Sequence, residues 1–319
     1  MKIQKITRTL LAMAALAAAS GLALAAPASD VPFHGDQIYP ESVSYSAAQG
    51  RFFVGSVKHG TVGTVAPDGT YTPFITDPRL ISTLGLHVDD QRNTLWVTNS
   101  DPGAGDRTAE ATRGHLAAVA AYDATTGAPK SYYDLSSLDP GAHLANDVAL
   151  DDHGTVYVTD SFSPEIYRID PSGAMSILVS NEAFGRGEGF NLNGIAWLPG
   201  GYLLVGNWNT GKLFRVDLRH PAKLVSVKLD APLKGADGFL LLDSRHLVIA
   251  QNAGMDRVIE LTSTDGWRSA TLTREVKSRL SMPTAAVVRD GHVMVLDSRI
   301  DTLLDPHAPK VDDFLLEPF

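Results

Sequence analysis

The sequence predicts an all-β fold, a six-bladed β-propeller with about four strands per blade, and three observations lead there. From Pro32 onward the chain runs in short apolar segments punctuated by Gly, Pro, Asp and Asn, with no sustained 3.6-residue apolar period. A strand-opening motif recurs six times, as Glu41-Ser42-Val43, Leu84-Gly85-Leu86, Asn146-Asp147-Val148, Asn193-Gly194-Ile195, Asp237-Gly238-Phe239 and Thr284-Ala285-Ala286, at spacings of 43, 62, 47, 44 and 47 residues. Each copy also ends its second strand on a polar residue, Ser56, Asn99, Asp160, Asn207, Gln251 or Asp297, at 13 to 15 positions after the opening residue. A repeat of about 45 residues carrying about four strands is the mark of a propeller blade.

Taken in order, the chain begins with Lys2, Lys5 and Arg8, continues through LLAMAALAAASGLALA, and reaches small residues at Ala23 and Ala25. These are the three parts of a secretory signal peptide, with cleavage expected near Ala25. An uncleaved membrane anchor fits less well, because the apolar run is short and Ala-rich and Pro27 follows at once. Residues 26–319 are then expected to form one propeller domain, periplasmic or secreted and monomeric, with no membrane contact after cleavage. The 319 residues contain no Cys, which excludes a lipid-anchored lipoprotein and any disulfide and denies thiolate to a metal site. Thirty-six acidic against 27 basic residues give a formal charge of −9, so nucleic acid is not an expected partner.

The second copy is too long. Residues 101–115, DPGAGDRTAEATRGH, read either as a solvated surface loop or as a lid beside the axis. Third strands follow in most copies, as in Glu165 to Asp170 and Lys212 to Asp217. Either the C-terminal VDDFLLEPF or the strand-like segment after Val31 is placed to complete a blade and close the ring.

Equivalent positions on the inner strands of a propeller converge on the axis. The six opening residues are Glu41, Leu84, Asn146, Asn193, Asp237 and Thr284, and four of them carry carboxylate or amide oxygens. An oxygen-only set suits one hard divalent cation, Ca²⁺ first and Mg²⁺ next, with Zn²⁺ or Mn²⁺ as substitutes. Two carboxylates ~4 Å apart without a cation would repel by about 4 kcal/mol at an effective dielectric of 20, and one would tend to bind a proton. Asn-Gly and Asp-Gly taken singly are ordinary turn formers. The shared register is what gives them weight. Phe162, Phe190 and Trp208, near strand ends, read either as a pocket wall or as packing.

The order Pro40-Glu41-Ser42, Ala145-Asn146-Asp147-Val148 with Asp151 and Gly154, Leu192-Asn193-Gly194-Ile195 and Ala236-Asp237-Gly238 resembles the senescence marker protein (regucalcin) / gluconolactonase / luciferin-regenerating-enzyme family of propellers. The resemblance covers about Asp36 to Asp297. It implies that Glu41, Asn193 and Asp237 bind a catalytic divalent cation, and that Asn146 binds it or faces the substrate. One departure stands out: where sugar-lactone hydrolases of this family place an Arg, two residues before the first Asn, this chain has Leu144. Paraoxonase-like lactonases use histidines near calcium, and His87, His115 and His143 read either as such residues or, as is more often the case for a lone His, as structural ones.

The function expected is a metal-dependent hydrolase acting on a small molecule, most simply opening a lactone or ester, with Asp237 as general base and Asn146 orienting the substrate. No Gly-x-Ser-x-Gly elbow is present to supply a serine nucleophile. A binding propeller that keeps its cation for structure, and a phosphotriester hydrolase, are the alternatives.

Overall fold

In the computed structural model, which describes residues 28–186 and 189–319, strands dominate: the helical elements among these residues are Ile300–Leu304 and two short 3₁₀ segments. The signal-peptide segment lies outside the described residues. The fold is all-β and propeller-like. Six first strands, Val43–Ser46, Ser82–Asp89, His143–Leu150, Leu192–Leu198, Ala236–Leu241 and Pro283–Arg289, pack each on the next, and the sixth returns onto the first to close a circle.

The expectation of six separate blades is corrected by the hydrogen bonding. The strands form four four-stranded sheets and one eight-stranded sheet. The cause is the long second repeat. Its third strand, His115–Asp123, runs nine residues, and its first two pair in parallel with His143 and Leu144 of the neighbouring first strand. That pairing, supported by His143 N–H donating to Gly114 O at 2.8 Å, joins the second and third repeats into a continuous sheet.

Both candidate closing segments are used. Val31–His34 pairs antiparallel with Asp313–Pro318, which pairs in turn with His292–Asp297, so the two ends of the chain complete one sheet. Arg279 donates from Nη1 and Nη2 to Asp30 and from Nε to Glu317, fixing the same seam.

Neither face of these sheets can be left in water, and the apolar residues are spent between neighbours. Phe53, Val62, Leu86, Leu95 and Tyr122 fill one such layer, and Leu204, Leu213, Leu247, Ile249 and Trp267 another. The fully buried Trp267 donates its indole N–H to Ser244 O at 2.9 Å, so its polar atom is satisfied.

The first strands approach each other so closely at the axis that side chains must be small or bonded there. Ser42 Oγ accepts from Leu86 N–H at 3.2 Å, and Asp147 Oδ2 accepts from Ile195 N–H at 3.2 Å. At Gly194 and Gly238 there is no room at all: a Cβ would overlap Asp237 O in the first case and Thr284 O in the second. Gly194→Ala is therefore expected to destabilise the protein by roughly 1–3 kcal/mol, seen as a lower thermal midpoint; an unchanged midpoint would show that the strands can separate at low cost.

Candidate metal centre

Every site residue but Glu41, which precedes the regularly paired strand Val43–Ser46, is aimed by an irregularity in its strand. The register of the first two strands slips between Thr83 and Leu86, Ala145 and Val148, Leu192 and Ile195, Ala236 and Phe239, and Pro283 and Ala285. These bulges hold Leu84, Asn146, Asn193, Asp237 and Thr284, and a bulge re-aims a side chain out of the sheet's alternation. Second-strand hydroxyls fix two of them. Thr98 Oγ1 accepts from Gly85 N–H and donates to Asn146 O, both at 2.7 Å. Thr159 Oγ1 accepts from Asp147 N–H at 3.2 Å and donates to Asn193 O at 2.6 Å.

The second polar column has a different task. Ser56 Oγ donates to Ile38 O, Asn99 Oδ1 accepts from Ile81 N–H, and Asp160 Oδ1 accepts from Leu144 N–H. Asn207 Nδ2 donates to Phe184 O, Gln251 Nε2 to Lys234 O, and Asp297 Oδ2 accepts from Leu280 N–H. The partner lies in the segment leading into the first strand or, for Leu144, at that strand's start. The column ties down the lead-in, and the lead-in delivers the site residue.

All six opening residues line one cavity of about 80 Å³ at the axis, walled also by Val57, Pro102, Phe190, Trp208, Asn252, Met282, Ile300 and Leu304. Glu41, Asn193, Asp237 and Thr284 also line a second cavity of about 280 Å³, which extends along the axis past Asp147, His87, Tyr45 and Trp197. The polar residues thus form a waist between two cavities.

The waist holds buried oxygens with no hydrogen-bond partner: Asn146 Oδ1, Asn193 Oδ1, Asp237 Oδ1 and Thr284 Oγ1. In Asn146 and Asp237 the other polar atom is already committed. Asn146 Nδ2 donates to Ser161 Oγ at 2.9 Å, and Asp237 Oδ2 accepts from Asn252 Nδ2, whose Oδ1 accepts from Trp208 Nε1 at 2.8 Å. Leaving several acceptors buried and unpaired costs on the order of 1–3 kcal/mol each. Electrostatics add to the cost. Burial raises the Glu41 carboxyl well above its usual range, and the charges of Asp237 and Asp147 raise it further. Burial pushes Asp237 up to about 8, opposed by the hydrogen bond from Asn252. Asp147 is pushed up to about 7 by burial, opposed by the N–H groups of Val148 and Ile195.

Free acceptors and two crowded carboxyls fit a hard divalent cation; the donors among them are the Asn193 amide, which hydrogen-bonds Asp237, and the Thr284 hydroxyl. The set is unlike a nitrogen or sulfur site: among the described residues no group of three or more His, Cys, Asp or Glu is arranged to hold a metal. Here amides and a hydroxyl supplement the carboxylates. Leu84 is the one opening residue that brings no oxygen.

The other sequence candidates are distributed differently. His143 is buried against Asp160, 2.9 Å from Oδ2, with its Nε2 2.6 Å from Asp139 O, and His115 Nδ1 lies 2.7 Å from Gly141 O. Neither lines the waist. His87 lines the larger cavity, where burial lowers its pKa. Phe162, Phe190 and Trp208 form a chain of ring contacts at 5.8 and 6.0 Å, and the last two wall the smaller cavity. The 101–115 segment is largely solvent-exposed but anchored at its start. Asp101 is fully buried and accepts from the hydroxyls of Thr108 and Thr112 at 2.7 Å, Arg107 reaches Leu80 O at 2.7 Å, and Pro102 joins the cavity wall.

Asn252 and Asp147 escaped the sequence reading. Asn252 directly follows the register marker Gln251, and its repeat counterparts Val57 and Trp208 also face the smaller cavity, so the column after the marker was the available signal. Asp147 is the one acid among the residues that follow the opening positions.

No family model matches this chain, and no curated protein does. Among solved structures it is similar to the major Malassezia sympodialis allergen Mala s 1, at 16% identity and TM-score 0.71, covering 92% of this chain and 96% of that one. It is similar to luciferin-regenerating enzyme, at 14% identity and TM-score 0.63 over 91% and 95% of the two chains. A candidate gluconolactonase matches at 15% identity and TM-score 0.61, covering 92% and 93%. The likeness is one of fold. Structural neighbours of this chain thus include two members of the propeller family that its motifs resemble.

Two measurements test the centre. A carboxyl whose folded pKa lies above its unfolded value favours folding below the unfolded pKa and loses that contribution as pH rises through the folded one. With Asp237 raised from 3.8 to about 8, chelator-treated protein is expected to lose thermal stability as pH rises across that interval. Ca²⁺ at a hundredfold over its dissociation constant should restore about 2.7 kcal/mol, and Asn193→Ala should abolish that response; a midpoint indifferent to Ca²⁺ at pH 8 would remove the case for a cation.

Proposed function

We propose that the protein is a hydrolase that opens a lactone or related ester with the help of a divalent cation held at the waist. The observation that carries this reading is the convergence of four unpaired buried oxygens with Glu41 beside open cavity space. A cation kept only for structure would be expected to have its ligands closed off by protein, whereas here the oxygens face a cavity on either side. The fold likeness to luciferin-regenerating enzyme and to a candidate gluconolactonase is consistent with it but carries little weight alone.

In this reading Glu41, Asn193 and Asp237 hold the cation, Thr284 adds a hydroxyl, and Asn146 either completes the set or meets the substrate. A bound divalent cation supplies Lewis-acid polarisation of a carbonyl oxygen. The chain's own residues do the rest. Asp237 presents Oδ1 to the cavity while Asn252 holds Oδ2, so Oδ1 is the atom that takes a proton from water. The water oxygen bonds to the carbonyl carbon, the ring C–O bond breaks, and the proton returns to the leaving alkoxide. Asn146, fixed through Ser161, keeps its carbonyl oxygen toward the substrate. The signal-like N-terminus would place this reaction in the periplasm or outside the cell.

Asp237→Asn is expected to lower kcat by about 10²–10⁴ in an assay of acid release from lactones with Ca²⁺. Asn252→Leu removes a hydrogen bond that holds the Asp237 pKa down. Its rate profile should therefore keep its shape with the acid limb moved to higher pH. Full activity in chelator, or in Asp237→Asn, would refute the mechanism.

A further inference from the structure

We infer that the ligand of the smaller cavity is a lactone or ester bearing an apolar substituent, selected by the helix Ile300–Leu304. The inference deepens the hydrolase reading and rests on it for the reacting group, but its own ground is the wall above the oxygens. Val57, Leu84, Phe190, Trp208, Met282 and Leu304 supply most of that wall, and no Lys, Arg or His lines the cavity.

Few polar groups in this cavity are free to serve a polyhydroxylated ring. Trp208 Nε1 is spent on Asn252, Asn252 Nδ2 on Asp237, and Asn146 Nδ2 on Ser161. The remaining polar atoms, the Asn193 amide, the Thr284 hydroxyl and the free oxygens of Asn146 and Asp237, gather at the waist, where the reacting carbonyl must sit. Sugar hydroxyls further out would be desolvated against apolar side chains without partners, which costs binding. Leu144, standing where the sugar-lactone pattern has Arg, is fully buried in the core and contributes nothing to the cavity.

The selecting element is built rigidly. Ile300 is buried and Leu303 packs on the core, while Leu304 is 54% exposed at the cavity mouth. Ser281 Oγ bonds Asp301 Oδ1 at 2.8 Å at the start of the helix, and Lys310 Nζ reaches Thr302 O at 2.8 Å at its end. A large apolar side chain left in water at the rim of an apolar cavity gains most when a ligand covers it. Backbone strain lies in the same wall. Met282 has φ 60° and Arg299, which precedes the helix, φ 55°. Such conformations are costly for side-chain-bearing residues and gather at ligand clamps. Ser298 Oγ and N–H both bond Met282 O, at 2.7 and 3.0 Å, and hold the strained segment in place.

Two arms test this with Ca²⁺-loaded full-length protein. In the first, δ-lactones with alkyl tails of increasing length are compared with glucono-δ-lactone, and kcat/KM is expected to rise about fourfold per added methylene until the tail passes Leu304. In the second, calorimetry measures binding of the matching alkyl and polyhydroxylated δ-lactams, which resist hydrolysis, to wild type and to Leu304→Asp. The alkyl lactams should bind, the polyhydroxylated one should bind at least about tenfold more weakly, and Leu304→Asp should weaken only the alkyl series, by about tenfold. Because Leu304 is largely exposed, the variant should fold and bind Ca²⁺ normally. Alkyl lactams that bind without any lactone being hydrolysed would support the apolar ligand and overturn the hydrolase reading. Failure of the alkyl lactams to bind, equal binding of the polyhydroxylated lactam, or indifference to Leu304→Asp would overturn the inference.

Discussion

Crowding at the axis is the constraint from which the rest of this structure follows. Six first strands packed around one line leave space for one side chain from each, and the backbones touch where Gly194 and Gly238 abut the carbonyls of Asp237 and Thr284. Regular alternation could not aim six consecutive openings at the same point, so five of the strands bulge there. The bulges leave backbone groups to be satisfied, and Thr98 and Thr159 satisfy them while reaching across to the next strand. Chemistry and architecture therefore share the same atoms. The carbonyl oxygen of Asn193 braces a neighbour while its side chain faces the cavity.

Much of this was legible because repetition turns weak local signals into a pattern. Asn193-Gly194 alone is a turn; the same position occupied by Glu41, Asn146 and Asp237 at a fixed distance from a second polar residue is a register. That second column was readable as a marker, though not as the hydrogen-bonding device it proves to be. What stayed hidden depends on contacts that do not repeat. The fusion of two sheets rests on two paired residues, His115 with His143 and Leu116 with Leu144, and no periodicity announces it. The grip of Asp101 on its own loop is local and unique. Asn252 occupies a column whose other members are Val57, Ser100, Ser161, Trp208 and Ser298, too varied to read as a set.

The two cavities give the waist an asymmetric setting. On one side aromatic and aliphatic side chains exclude water and sharpen every electrostatic interaction with the buried oxygens. On the other, Ser44, Tyr45, His87 and Asp147 line a roomier passage along the axis. Trp208 belongs to both kinds of environment at once: its ring walls the apolar side, and its N–H, through Asn252, sets the orientation of Asp237.

The seam between Val31–His34 and Asp313–Pro318 makes closure of the circle depend on a pairing between segments far apart in the sequence. Segments almost the whole length of the polypeptide apart must meet before the circle exists, and such distant pairings are slow to form. Until Asp313–Pro318 has been made, Val31–His34 has nowhere to dock. A chain without Asp313–Pro318 would remain an open arc, with Val31–His34 and the outer edge of His292–Asp297 left without their shared partner.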